Sequence, residues 1–214
     1  MTPRALVLSG GWPDHQPEVM ADFARHQVLA GFDVEHTHDL DVLDREALAG
    51  VDLLVPLWTF GELAPAQEAA LVGSVADGLG LVTWHGTTSA FIASRRFKFL
   101  VGGQFVAHPG DGDVTYTVEF VGDDALVAGL APVTVTSEQY YLLVDPAVNV
   151  LATTRMAAPG MDWLRGVEMP VAWTRSWGSG RVFYCSLGHT LESVADPSVT
   201  ELLRRAARWA SRRH

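Results

Sequence analysis

Four short strand-like runs, 4–11, 32–37, 51–57 and 80–84, alternate with stretches of helical periodicity through the first half of the chain, and the connections between them are short. Such alternation leaves few solutions: parallel strands joined by right-handed helical crossovers, the pattern of a doubly wound α/β sheet. The runs 4–11 and 51–57 are apolar on both faces, as strands covered by helices on either side must be. Pro17 opens a helix that presents Met20, Phe23, Ala24 and Val28 on one side and ends near Gly31; a shorter piece follows around 43–48. After Pro65, Leu71, Val72, Val75 and Leu79 recur at helical spacing.

The second half changes character. Runs at 105–107, 114–121, 133–136, 140–144 and 148–152 are rich in β-branched and aromatic residues and broken by Gly, Pro and Asp, which predicts antiparallel strands added to the main sheet. Residues 156–169 read as an irregular excursion, and 170–175 with 181–187 as a strand pair about the glycine-bearing turn 177–180. A last helix from Pro197 is expected to bury Val199, Leu202, Leu203, Ala206 and Trp209, with Arg204, Arg205, Arg208, Arg212 and Arg213 as its solvated side. The expected architecture is thus one α/β domain over residues 1–214, a doubly wound and mainly parallel sheet with an antiparallel extension in the second half.

Charge and composition exclude several roles. A formal net charge of −10 in 214 residues argues against a general polyanion-binding surface, so no nucleic-acid partner is expected. No apolar run approaches the roughly 18 residues of a membrane helix, and the N-terminus enters its first strand without a signal-peptide core, which predicts a cytoplasmic protein without membrane contact. The single cysteine, Cys185, rules out an intrachain disulfide framework and any multi-cysteine metal site; within its apolar run it reads as a small buried residue.

Chemistry is expected at the strand exit Trp84-His85-Gly86. In an open α/β sheet a strand that turns sharply into a helix presents its turn residue at the carboxyl edge, where ligands bind. Hydrolases and amidotransferases place Ser or Cys at this position, so His85 implies a shared scaffold with different chemistry. His15, His108 and His189 also fall in loops or at strand ends, and Glu138 adds a carboxylate. A lone histidine is usually a hydrogen-bonded structural residue; gathered at one edge, these five supply either a mixed imidazole and carboxylate metal site or a proton-transfer pair. Zinc or a similar ion suits that donor set better than calcium or magnesium. Trp12, Trp58 and Trp84 fall at the same edge, with Tyr140 and Trp177 in loops or strand ends; their faces either stack on a sugar ring or pack in the core. Arg175 either binds a polar substituent or anchors the 177–180 turn.

Gly10, Gly11 and Trp12 followed by His15, the segment 84–91 (WHGTTSAF), 102–109 (GGQFVAHP), 137–140 (SEQY) and 170–189 (PVAWTRSWGSGRVFYCSLGH) together resemble, in order, the motif series of the ThuA-like (trehalose utilisation) family over essentially the whole chain. The resemblance implies a flavodoxin-like, class I glutamine amidotransferase-like fold with histidine where amidotransferases carry the nucleophilic cysteine. It implies carbohydrate metabolism: an enzyme, hydrolase or lyase, acting on a trehalose-related or oxidised (keto) sugar or glycoside, with a sugar dehydrogenase as a pathway partner. Under it, His85, Glu138 and His189 are candidate catalytic groups, His15, His85, His108 and His189 candidate ligands of a divalent metal, and Trp12, Trp58, Trp84, Tyr140 and Arg175 candidate substrate contacts. No nucleotide cofactor is expected, and a homo-oligomer is compatible with this reading. Ser137 departs from the aspartate expected before the glutamate, which removes a second carboxylate. The alternative is a non-catalytic sugar-binding or regulatory module; glutamine hydrolysis is disfavoured because Cys185 lies far from the His85 turn.

Overall fold

Side chains alternate across each strand, so every strand buried on both faces feeds two cores. The computed structural model describes residues 2–211. Its strands are β1 (Arg4–Gly11), β2 (Asp33–Thr37), β3 (Leu53–Thr59), β4 (Gly80–Trp84), β5 (Gly103–Ala107), β6 (Val114–Phe120), β7 (Val133–Ser137), β8 (Tyr141–Val144), β9 (Asn149–Arg155), β10 (Glu168–Trp177) and β11 (Gly180–Cys185). The helices are α1 (Pro17–Phe23), α2 (Arg45–Ala49), α3 (Pro65–Ala76), α4 (Arg95–Val101), α5 (Leu191–Ala195) and α6 (Pro197–Ala210). Among the described residues, nine strands form one sheet in the order β2-β1-β3-β4-β11-β10-β9-β6-β7. The pairs from β2 through β11 are parallel and those from β11 through β7 antiparallel.

Val7, Val55, Val82 and Phe183 face α1, α5 and α6, while Leu8, Leu54, Leu81 and Tyr184 face α2, α3 and α4. The two sets are neighbours in sequence and belong to different cores, as a sheet sandwiched between helices requires. Local chemistry starts the helices where this sandwich needs them. Asp44 accepts from the Glu46 and Ala47 amides, Ser94 from Phe97, and Asp196 from Ser198 and Val199. No helix among the described residues is long and apolar enough to cross a membrane.

Four expectations change. The exit from β4 leads into one 3-10 turn (His85–Thr88), and the helix proper begins only at Arg95, where Ser94 supplies the cap. The helix from Pro17 widens into a π-type turn over Ala24–Val28 before Gly31 reverses the chain in the left-handed region. Strands β5 and β8 do not join the main sheet but pair with each other. Tyr140 and Leu142 carry that ribbon into the core on the α4 side, and the indole of Trp173 occupies the space beside Gly103, where a Cβ would lie 2.7 Å from the ring. Finally, Trp209 is half-buried beneath the Arg181 guanidinium, and the helix α6 arginines are more engaged than a solvated face. Arg204 donates to the Gln27 carbonyl and Arg205 to those of Leu126 and Ala128, while Arg208 is exposed; Arg212 and Arg213 lie outside the described residues.

Trp173 joins three layers: its ring packs 4.5 Å from Tyr184, and its Nε1 donates to the Val101 carbonyl at 2.9 Å. Trp173→Ala is expected to cost about 3–5 kcal/mol, the range for deleting a buried aromatic. A urea titration that left the unfolding midpoint within error of wild type would contradict this placement.

Candidate functional site

The chain leaves β4 through His85 with φ at +48°, a left-handed conformation costing a residue with a Cβ about 1–3 kcal/mol. Surrounding bonds hold it there. Tyr184 Oη donates to the His85 carbonyl at 2.9 Å, and Lys98 Nζ donates to the carbonyls of Thr88 and Ala90 at 2.8 and 2.5 Å. Burial lowers the Lys98 ammonium to about 8, so this cation acts as a clamp on the turn. Gly86 has no space for a side chain: a Cβ would lie 2.0 Å from Thr59 Oγ1 and 2.7 Å from His15 Nδ1. That vacancy lets His15 approach the turn.

Five loops at the carboxyl edge then converge. His15 follows β1, His85 follows β4, His108 follows β5, Glu138 follows β7 and His189 follows β11. One donor atom from each of His15, His85, Glu138 and His189 lies within 4.8 Å of the others. The rings are oriented from behind: His85 Nδ1 donates to the Ser186 carbonyl at 3.0 Å, and His15 Nδ1 is 2.8 Å from Thr59 Oγ1. Because a carbonyl only accepts, the neutral His85 ring carries its proton on Nδ1 and turns the Nε2 lone pair toward Tyr140 Oη (3.0 Å) and Glu138 Oε2 (3.4 Å). Anchoring one ring nitrogen while the other faces a shared centre is the arrangement that orients metal-bound histidines.

Glu138 is only 7% exposed. Its Oε2 stands 3.4 Å from both His85 Nε2 and His189 Nδ1, yet both Oε2 and His189 Nδ1 are buried without a hydrogen-bond partner. With the His189 proton on Nε2, its Nδ1 and the Glu138 oxygen both offer lone pairs, and two such atoms facing each other leave a position for a cation. A tetrahedral ion with bonds of roughly 2.0–2.1 Å separates its donors by about 3.3 Å, so the donor set and the 3.4 Å spacings fit a divalent first-row metal. Burial alone would raise the Glu138 carboxyl, but its interactions with His85, then His189 and His108, outweigh that and hold it at about 2. Burial, with His85 next, lowers His15 to about 3; burial also lowers His189, against the opposing pull of Glu138. Tyr140 is driven well above the ordinary phenol value by burial and remains a donor.

His108 stands one step outside this set, half-buried, its Nε2 3.8 Å from Glu138 Oε1 and its buried Nδ1 3.5 Å from Asp111. Trp12 is exposed at the rim, 4.9 Å from the His15 ring and 5.7 Å from that of Phe60. Trp58 is half-buried and stacked on Phe91. Trp84 is core, packed edge-on against Phe23, because its position on β4 points it under α1 rather than outward. Tyr140 is buried with its ring against His85 and Phe105, so only its hydroxyl serves the site. Arg175 lies elsewhere: it pairs with Asp145 at 3.0 Å, donates to the Phe99 carbonyl and covers the Trp177 ring. Thr59 and Phe60 belong to the site without having been singled out, their only sequence signal being a place in the exit segment 58–61. His85 lines a small space beside Trp58 and Thr59. The space behind it holds about 20 Å³, room for about one water, whereas a 430 Å³ cavity lies between α4 and the β5–β8 ribbon. Cys185 is buried in β11 with its thiol pushed up to about 12, so no thiolate stands at the elbow.

Residues 4–210 match the family described as ThuA, trehalose utilisation. Among solved structures, the chain is similar to a ThuA-like protein from Parabacteroides merdae, with 19% identity and a TM-score of 0.76 over 97% of this chain and 90% of that one. A ThuA-like protein from Bacteroides uniformis gives 20% identity and 0.76 over 98% and 91%. The fold also resembles part of a cold-adapted β-galactosidase from Rahnella sp. R3, with 15% identity and a TM-score of 0.66 over 99% of this chain and 32% of the galactosidase. A search of curated proteins matched none.

The lowered values set a pH dependence for the metal-free protein. For His15 the unfolded chain takes up a proton first, so its stabilisation is complete above pH 6.5 and is lost progressively toward 3; the Glu138 contribution is lost from 4.5 toward 2. Thermal melts from pH 8 downward should show stability falling on acidification, and His15→Gln should flatten the decline between 6.5 and 3. An unchanged slope in that variant would contradict the burial of a neutral His15.

Proposed function

The chain belongs to the ThuA, trehalose-utilisation, family, and from that carbohydrate-related setting we propose that it is a metal-dependent enzyme acting on a trehalose-related or oxidised (keto) sugar or glycoside, by hydrolysis or elimination. The observation that carries this reading is the buried Glu138 Oε2, without a hydrogen-bond partner and flanked at 3.4 Å by imidazole nitrogens of His85 and His189. His15, His85, His189 and Glu138 hold the ion, with zinc favoured by three imidazoles and one carboxylate. Bound there, such an ion supplies Lewis acidity toward a sugar carbonyl or hydroxyl oxygen.

The remaining roles fall to side chains at the rim. His108 is the accessible imidazole beside the cluster and is assigned to proton transfer. In an elimination it takes the proton from the carbon next to the keto group; the electrons form the new double bond, the glycosidic C–O bond breaks, and the leaving oxygen takes up a proton. In a hydrolysis it activates water. Tyr140, kept protonated by burial, donates from within the cluster. Trp12 and Phe60 offer apolar surfaces for the C–H face of a sugar.

Calorimetry on chelator-stripped protein should show one zinc equivalent at this cluster, and Glu138→Gln should weaken it at least ~10-fold. In a screen of keto-glycosides, His108→Ala should lower turnover by ~10²-fold or more while that zinc equivalent is kept. No zinc binding stronger than millimolar, or full turnover after chelation, would end the metal-dependent reading.

A further inference from the structure

We propose a second divalent-metal site, separate from the Glu138 cluster, formed by Glu18, His36 and His38 at the carboxyl ends of β1 and β2. His36 and His38 are two residues apart at the end of β2, so the strand period places both imidazoles on the same side, with ring centroids 4.6 Å apart. The first turn of α1 brings Glu18 over them, its Oε1 2.9 Å from His38 Nε2. One donor atom from each of the three lies within 4.8 Å of the other two.

The rings are held from behind by one buried residue. Ser9, at the end of β1, accepts His38 Nδ1–H on its main-chain carbonyl at 2.9 Å, and its hydroxyl lies 2.8 Å from His36 Nε2. The carbonyl fixes the His38 tautomer: Nδ1 carries the proton, and Nε2 is the nitrogen offered toward Glu18. This repeats the support seen at His85, where the Ser186 carbonyl plays the same part. Glu18 and His38 are more than half exposed, so an ion reaches the site directly and keeps water in its open positions. Two imidazoles and one carboxylate select zinc, nickel or copper over calcium or magnesium. A bound ion ties the start of α1, three residues beyond His15, to the sheet edge.

The test is zinc stoichiometry of the chelator-stripped full chain, measured by calorimetry near neutral pH. Two submillimolar equivalents are expected for wild type, and the His36→Ala, His38→Ala double variant should lose one while retaining turnover. The outer equivalent should persist in Glu138→Gln. If the Glu138 cluster binds no zinc, a single equivalent should remain and still vanish in the double variant, so the two readings fail separately. Should that variant not fold, Glu18→Gln serves instead and should weaken the outer equivalent ~10-fold. Unchanged stoichiometry in a folded double variant, or unchanged outer affinity in Glu18→Gln, would overturn the proposal.

Discussion

A carboxylate held away from water has to be compensated, and the carboxyl edge of this sheet is arranged around that requirement at Glu138. Three imidazoles face the group, and none of them closes a hydrogen bond on its buried oxygen. The Tyr116 hydroxyl donates to the Glu138 carbonyl at 2.9 Å and fixes the backbone on which the carboxylate sits. The fold therefore holds an anion in place while leaving its favourable contact to something else. That is costly in a site serving structure alone and useful in one that takes a cation.

The strained turn at His85 belongs to the same arrangement. A left-handed histidine is tolerated because Tyr184 and Thr88 donate to its carbonyl and Lys98 to those of Thr88 and Ala90, and because Gly86 leaves room for His15 and Thr59. The turn carries an imidazole, and the one thiol lies buried in the adjacent strand.

How much of this was legible in the sequence follows from the range of the forces involved. The parallel half was readable because strand and helix periods are local, and β1, β3, β4 and α3 lie close to where hydrophobic spacing put them. The β5–β8 ribbon was not, since its departure from the main sheet depends on Trp173 packing against Gly103 from seventy residues away. At the site, His15, His85, Glu138 and His189 were recoverable as polar residues at strand exits. Trp84 and Arg175 looked equally suitable, but which side of a strand end faces the core, and whether Asp145 waits beside a guanidinium, are decided by tertiary packing. Thr59 escaped notice because a hydroxyl that merely orients an imidazole has no pattern of its own.

The four clustered donors come from loops after β1, β4, β7 and β11, spread over nearly the whole chain. No local segment carries even half of the site, and β11, the last strand in sequence, must insert beside β4 before His189 can meet His85. Assembly of the cluster is accordingly a high-contact-order event that waits on the closing of the central sheet. An ion captured there would bind finished molecules in preference to partly folded ones, so occupancy would double as a signature of completed folding.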